Sequence, residues 1–144
     1  MIVVDTAVLL YAVGREHAFR EPSRRLVDAV AGRRVDATTS VSVLQEFAHA
    51  CARRRGRDEC AALTRRYATL LAPLLVSTVS DLESALRLFQ RHEQLGSFDA
   101  VLAATAMRAG ATALVSTDAG FAGIRGLRQV VPGTVEFDAL LPPD

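Results

Sequence analysis

Residues 2–13 read IVVDTAVLLYAV, and a single carboxylate interrupts what is otherwise an apolar segment. Ile2, Val3 and Val4 suit a short strand buried on both faces, and residues 7–13 suit a short apolar helix. Asp5 stands at the junction. A lone buried charge costs several kcal/mol or is neutralised, so this acid requires a donor, water or a cation beside it. A buried strand passing at once into a helix is the opening of an α/β domain, whose sites form beyond the carboxyl ends of the strands.

The alternation continues along the chain. Pro22 in a first turn, then Leu26, Val27 and Val30, closed by Gly32, mark a second helix. A strand is expected over residues 35–38. Ser42 with Gln45 forms a capping-box pattern ahead of a helix carrying Val41, Leu44, Ala48 and Cys51 on one face and stopping near Gly56. The next helix begins near Asp58, with Leu63, Tyr67, Leu70 and Leu71 on its apolar side, and residues 74–76 read as a strand. Ser80 with Glu83 is a second capping box, opening a helix with the stripe Leu82, Ala85, Leu86 and Phe89 and an end at Gly96. Ser97 caps a helix running to Gly110. Strands are expected over residues 113–116 and 129–131, and a terminal loop over 142–144. Short apolar strands separated by helices predict a central parallel sheet of about five strands with helices on both faces. No linker or repeat divides the chain, so one α/β domain over residues 1–144 is expected, with its core over about 2–131.

Composition narrows the function. The chain has 144 residues, half of them apolar and 23% charged, as in ordinary globular domains. No apolar run approaches the ~20 residues that span a bilayer, and no basic cluster precedes the first apolar segment, so a cytoplasmic location away from membranes is expected. Cys51 and Cys60 are the only cysteines. In that compartment they read as reduced core thiols. All 17 basic residues are arginine. The absence of lysine excludes a P-loop, a Schiff base and a receiver-domain switch. Serine nucleophile elbows and Gly-rich dinucleotide loops are missing as well.

Four acids fall where the architecture puts a site. Asp5 ends the first strand, and Asp118 follows a later one in ALVSTDAGF. Glu46 lies within about a turn of a helix cap, and Asp99 lies in the first turn of the helix after Ser97. Singly, each has a plain explanation: Asp99 favours a helix N-terminus, Asp118 opens a turn to Gly120, and Glu46 is a solvated helix residue. Together they would repel, and a bound divalent cation is the usual remedy. Oxygen ligands without nearby histidine or thiolate suit Mg²⁺ or Mn²⁺, and carboxylate-held Mg²⁺ at an open strand edge suits phosphodiester hydrolysis.

The segments VVDTAVLLYA, VSVLQEF, FDAVLAATA and LVSTDAGF resemble, in order and separation, the four acidic motifs of PIN-domain ribonucleases, and the early Asp5 and short chain are most similar to VapC-type toxins. The resemblance runs from Val3 to about Val131. It implies a five-stranded parallel sheet, a Mg²⁺-dependent endoribonuclease with Mn²⁺ as substitute, a homodimer, and inhibition by a small antitoxin protein. Asp5, Glu46, Asp99 and Asp118 would be catalytic. Asp5, Asp99 and Asp118 would hold the metal, and Glu46 would hold metal-coordinated water or act as base. Thr6 and Thr117 would give supporting hydrogen bonds; Asp36 and Asp138 match no motif.

Other features are weaker. Glu46 and His49 make half of a di-iron pattern whose second copy is absent. His17 and His92 have no partners in sequence. Arg53, Arg54 and Arg55 either complement a helix C-terminus or contact an RNA backbone. Tyr11, Tyr67 and the phenylalanines supply no evident base-stacking platform. Two other readings stand beside the toxin: a housekeeping nuclease of RNA maturation or DNA structures, and a non-catalytic binding module on the same fold. A neighbouring antitoxin gene separates the first from the toxin, and a Mg²⁺-dependent cleavage assay separates the second.

Overall fold

The computed structural model describes residues 1–142; Pro143 and Asp144, within the expected terminal loop, lie outside the described residues. The first apolar run forms β1 (Ile2–Val4), buried along its whole length. β1 takes β2 (Ala37–Thr38) on one side and β3 (Ala113–Val115) on the other, and β4 (Gln129–Val130) pairs outside β3. The order is β2-β1-β3-β4, all parallel, with Val3 opposite both Thr38 and Leu114.

Parallel pairing demands crossovers and covered faces. α1 (Thr6–Val13) and α2 (Arg20–Ala31) connect β1 to β2. α3 (Val41–Ala52), α4 (Arg57–Leu70), α5 (Val79–Arg91) and α6 (Ser97–Arg108) connect β2 to β3. α1 packs on α2 and α3, α3 on α4, and α5 on α6. After β4, α7 (Val135–Asp138) buries Phe137 completely in a core that also holds Phe47 and Phe121. No helix among the described residues is long and apolar enough to cross a membrane.

The expected α/β class and parallel sheet are present, with four strands rather than five. Residues 74–76 make one isolated bridge, Leu75 to Ser40, in which the Leu75 N–H donates to the Thr39 carbonyl at 2.9 Å. Val76 is 73% exposed, and its carbonyl accepts a hydrogen bond from Arg108 Nη2 at 2.8 Å. Pro73 has no N–H to give. The segment therefore has too few free backbone groups, and too little burial, to extend the sheet beyond β2.

Both helices expected to open on a capping box start two residues early, and only α5 opens on one. An N-cap must be extended, and Ser40 and Thr78 are, with ψ of 162° and 169°. Ser42 and Ser80 are already helical. Ser40 Oγ accepts from the Val43 N–H at 3.2 Å; Thr78 and Asp81 cap each other at 3.2 and 2.8 Å. Gly96, not Ser97, caps α6. On α5, Asp81 and Ala85 face inward, with Asp81 bound to Arg108 Nε at 2.6 Å, while Leu82, Leu86 and Phe89 are left exposed. The cysteines depart from expectation too. The α3–α4 hairpin brings the Cα atoms of Cys51 and Cys60 to 5.8 Å, and the two form a disulfide rather than free thiols.

Candidate active site

β1 delivers Asp5 to the carboxyl edge of the sheet, where it becomes the N-cap of α1 and its Oδ1 accepts from the Thr6 N–H at 2.7 Å. β3, the neighbouring strand, delivers Ser116, whose hydroxyl donates to Asp5 Oδ2 at 2.7 Å. Chain connections leave β1 and β3 toward opposite sides of the sheet, and the crevice between their ends is where such folds bind ligands. Burial is the largest influence on Asp5 and raises its carboxyl pKa. The Ser116 and Thr6 hydrogen bonds oppose it, and the charges of Glu46 and Asp118 add to it.

Glu46 and Asp118 are each fixed in orientation. Thr6 Oγ1 donates to Glu46 Oε2 at 2.7 Å, tying the second turn of α3 to the start of α1. Asp118 caps the 3₁₀ turn Ala119–Phe121, its Oδ1 accepting from the Gly120 N–H at 2.8 Å. The Asp118 N–H donates to Ser116 Oγ at 3.0 Å, and Gln129 of β4 grips the Ser116 and Asp118 carbonyls through Nε2 at 3.2 and 2.7 Å. Asp99, in the first turn of α6, lies with Asp5, Glu46, Ser40 and Phe98 on a cleft of about 150 Å³.

All four predicted acids come together. Asp99 registers it most strongly: its pKa is pushed up to about 7, first by burial, then by the charges of Asp5, Asp118 and Glu46 and by hydrogen bonding with Asp118. Among the described residues none of the four forms an ion pair. Nor, as they stand, do three His, Cys, Asp or Glu side chains close on one point. The arrangement is an acidic cleft without a counter-charge of its own.

Residues outside the cluster behave differently from one another. Asp36 pairs with the N-terminus at 3.6 Å and Asp138 with Arg25 at 3.0 Å, both away from the cleft. His49 is exposed and meets Arg53 at 3.2 Å. Thr117 makes no hydrogen bond among the described residues, whereas Ser116 makes two at the heart of the site. Sequence held that signal: Ser116, like Asp5, is the polar residue that ends a buried apolar run. Arg55 pairs with Glu59 and donates to the Val13 carbonyl, a structural use. Tyr11 stacks on His17 with ring centroids 4.6 Å apart, and Phe19 meets Tyr11 edge-on at 5.3 Å. The fold thus assembles an aromatic group that was not evident from spacing.

Residues 2–127, which include all four acids, match the PIN domain. The chain is 45% identical to ribonuclease VapC7 of Mycobacterium tuberculosis over 98% of both chains. It is 31% identical to ribonuclease VapC23 of that species, over 82% of this chain and 93% of the relative. Its fold is similar to M. tuberculosis VapC20, a sarcin–ricin loop cleaving toxin, with a TM-score of 0.66 and 21% identity over 79% of this chain and 87% of that one. It is also similar to a chain of VapBC2 from Rickettsia felis bound to a DNA fragment from its promoter (TM-score 0.72, 18% identity, 92% of this chain and 99% of that one). At those identities the structures speak for the fold alone, and the sequence matches carry the rest. With the acids converging at the sheet edge and the match running through every one of them, the chain belongs to the PIN-domain family, among the VapC ribonucleases.

Proposed function

We propose that this ribonuclease is the cytoplasmic toxin of a toxin–antitoxin pair. In this reading it is an endoribonuclease that hydrolyses RNA phosphodiester bonds at Asp5, Glu46, Asp99 and Asp118, with Mg²⁺, or Mn²⁺ in its place. The observation that carries this reading is the convergence of four carboxylates at one strand edge with no basic partner among the described residues. VapC ribonucleases depend in general on a divalent cation. The donor set here fits one: every candidate ligand is a carboxylate oxygen, and Mg²⁺ is commonly held by one or two carboxylates and several waters rather than a closed protein cage. Asp5, Asp99 and Asp118 would hold the ion. When bound, it supplies neutralising charge to the phosphate oxygens and a lowered pKa to the attacking water.

The chain's own residues do the positioning. The Ser116 hydroxyl and the Thr6 N–H fix both oxygens of Asp5, so its orientation is set before substrate arrives. Thr6 Oγ1 occupies Glu46 Oε2, which leaves Oε1 to hold the attacking water and take its proton. A small antitoxin protein silences the site, most simply by an arginine that grips carboxylates bidentately. The exposed stripe Leu82, Leu86 and Phe89, with Phe98 nearby at 73% exposure, suits a homodimer contact.

Asp5→Asn and Asp99→Asn keep the shape and remove the charge. Each is expected to lower cleavage by at least ~100-fold and to abolish growth inhibition on expression. Folded, pure variants that cut RNA at near wild-type rate would mean that the site lies elsewhere.

A further inference from the structure

The acid cleft poses a problem that it does not itself solve. Four carboxylates repel a polyanion, so affinity for RNA must come from cations placed beside them. A second cavity, of about 380 Å³, is lined by α1, which follows Asp5, and by the end of α3, the helix that carries Glu46. Its floor is α1 from Ala7, next to Thr6, through Leu10 to Tyr11, and its far wall is the end of α3 from Ala50 onward. Ala50 follows Glu46 by one helical turn, about 6 Å along α3. Around the rim stand Arg15, Arg53, Arg54 and Arg55, and the Tyr11–His17 stack lies inside.

Three of the four rim arginines carry no acid partner among the described residues. Arg20, Arg25, Arg87 and Arg108 are each paired with an acid, and Arg55 is held by Glu59 and the Val13 carbonyl. Arg15 and Arg54 form no ion pair among the described residues, and Arg53 meets only His49. The one acid of the rim, Glu16, is engaged by Arg20. Exposed guanidinium groups beside a pair of stacked rings match the two chemical faces of a nucleotide. Arginine grips phosphate, and an aromatic face stacks on a base of any kind. The volume is also of the size that holds a small ligand.

We infer that this cavity is a nucleotide subsite of the RNA substrate, with Arg15, Arg53 and Arg54 on the phosphates beside the scissile bond and one base stacked on Tyr11 and His17. The inference rests on the ribonuclease reading of the acid cluster. It makes these residues determinants of affinity and base placement; none of them takes part in the chemistry.

The test uses the full chain and single-stranded RNA oligonucleotides of random sequence, about 12 nucleotides long, in line with the site sizes of single-strand binders. Steady-state cleavage is compared for wild type, Arg15→Gln/Arg54→Gln, Tyr11→Ala, Tyr11→Phe, and a control of equal charge loss on α5, Arg87→Gln/Arg91→Gln. The cavity double variant and Tyr11→Ala are expected to raise KM about tenfold or more with kcat within about twofold, and Tyr11→Phe to restore it. The double variant should also flatten the slope of log affinity against log salt by about 0.7 for each phosphate no longer neutralised by an arginine. The control should stay near wild type. Cavity variants that cleave like wild type overturn the subsite and leave the ribonuclease reading intact; a wild type that cleaves no RNA overturns that reading instead. An equal loss in the α5 control reduces the effect to bulk charge and overturns the subsite. Loss of antitoxin binding with unchanged KM makes the cavity a protein-docking site and equally overturns it.

Discussion

Asp99 shows two opposing electrostatic effects on one side chain. Its place in the first turn of α6 favours the charged form by ~0.3–1 kcal/mol through the helix dipole. Burial and three neighbouring acids oppose this and win, carrying its pKa from an ordinary 3.8 up to about 7. The folded, metal-free protein therefore binds a proton there that the unfolded chain releases. The stability this contributes is complete below the unfolded value of 3.8 and is lost as pH rises through about 7. Melting in a chelator at about pH 5, 6.5 and 8 should show a falling Tm, with most of the slope gone in Asp99→Asn. Mn²⁺ at ~100 times its dissociation constant should reverse the sign near neutrality, adding about 2.7 kcal/mol to wild type. That gain should shrink toward pH 5 and nearly vanish in Asp5→Asn. Equal shifts in wild type and variant at every pH would place the metal elsewhere.

At the scale of an element, the loop after β3 matters most. Gly120 sits where the 3₁₀ turn passes the Gln94 carbonyl, and a Cβ there would stand 2.6 Å from that oxygen and 3.2 Å from Asp118 Oδ1. The turn cannot accept a side chain without moving Asp118, whose orientation depends on the Gly120 N–H. Gly120→Ala is expected to cost about 1–3 kcal/mol by overpacking. It should also lower cleavage at temperatures where the variant is still folded. Denaturant melts beside cleavage rates check both; a variant that is destabilised yet fully active would detach the turn from catalysis. The disulfide belongs to this scale as well. Linking Cys51 to Cys60, nine residues apart, closes the α3–α4 hairpin, and loop entropy puts the gain at about 2–3 kcal/mol. Thiol titration of the unfolded, unreduced protein should find no free thiol, and Cys51→Ser should lower Tm by several degrees. Two free thiols would restore the reduced pair expected from sequence.

Across the whole molecule, the acid cleft shares α3 with the basic cavity and Phe98 with an apolar face. Beyond Asp5 and Ser40 the acid cleft is lined by α3 and α6, and the basic cavity lies along α1 and α3, while α5 and the start of α6 present Leu82, Leu86, Phe89 and Phe98 to solvent. Bulky apolar side chains left exposed together mark a contact surface more often than a solvated one. If they form the homodimer, Leu86→Glu with Phe89→Glu should yield a monomer by sedimentation while each chain keeps its fold. A dimer that survives both charges would use another face.

Sequence alone determined the features that rest on local chemistry. Apolar runs bounded by glycine, serine and acid placed β1, β3 and the six long helices, and the positions of Asp5, Glu46, Asp99 and Asp118 at strand and helix ends put them on one edge of a parallel sheet. What only tertiary structure decided depends on neighbours distant along the chain. Residues 74–76 are as apolar as a strand, but Arg108 takes the Val76 carbonyl and Val76 itself stays exposed. The stripe on α5 is periodic, yet Asp81 turns inward because Arg108 waits for it, leaving Leu82 and Leu86 outside. Thr6 and Ser116 are ordinary hydroxyl residues until β1 pairs with β2 and β3 and brings them against Glu46 and Asp5. Tyr11 and His17 stack only because the chain turns after Gly14. Periodicity and punctuation are written residue by residue, whereas pairing, burial and the pKa shifts they cause are properties of contacts that exist only once the chain has closed on itself.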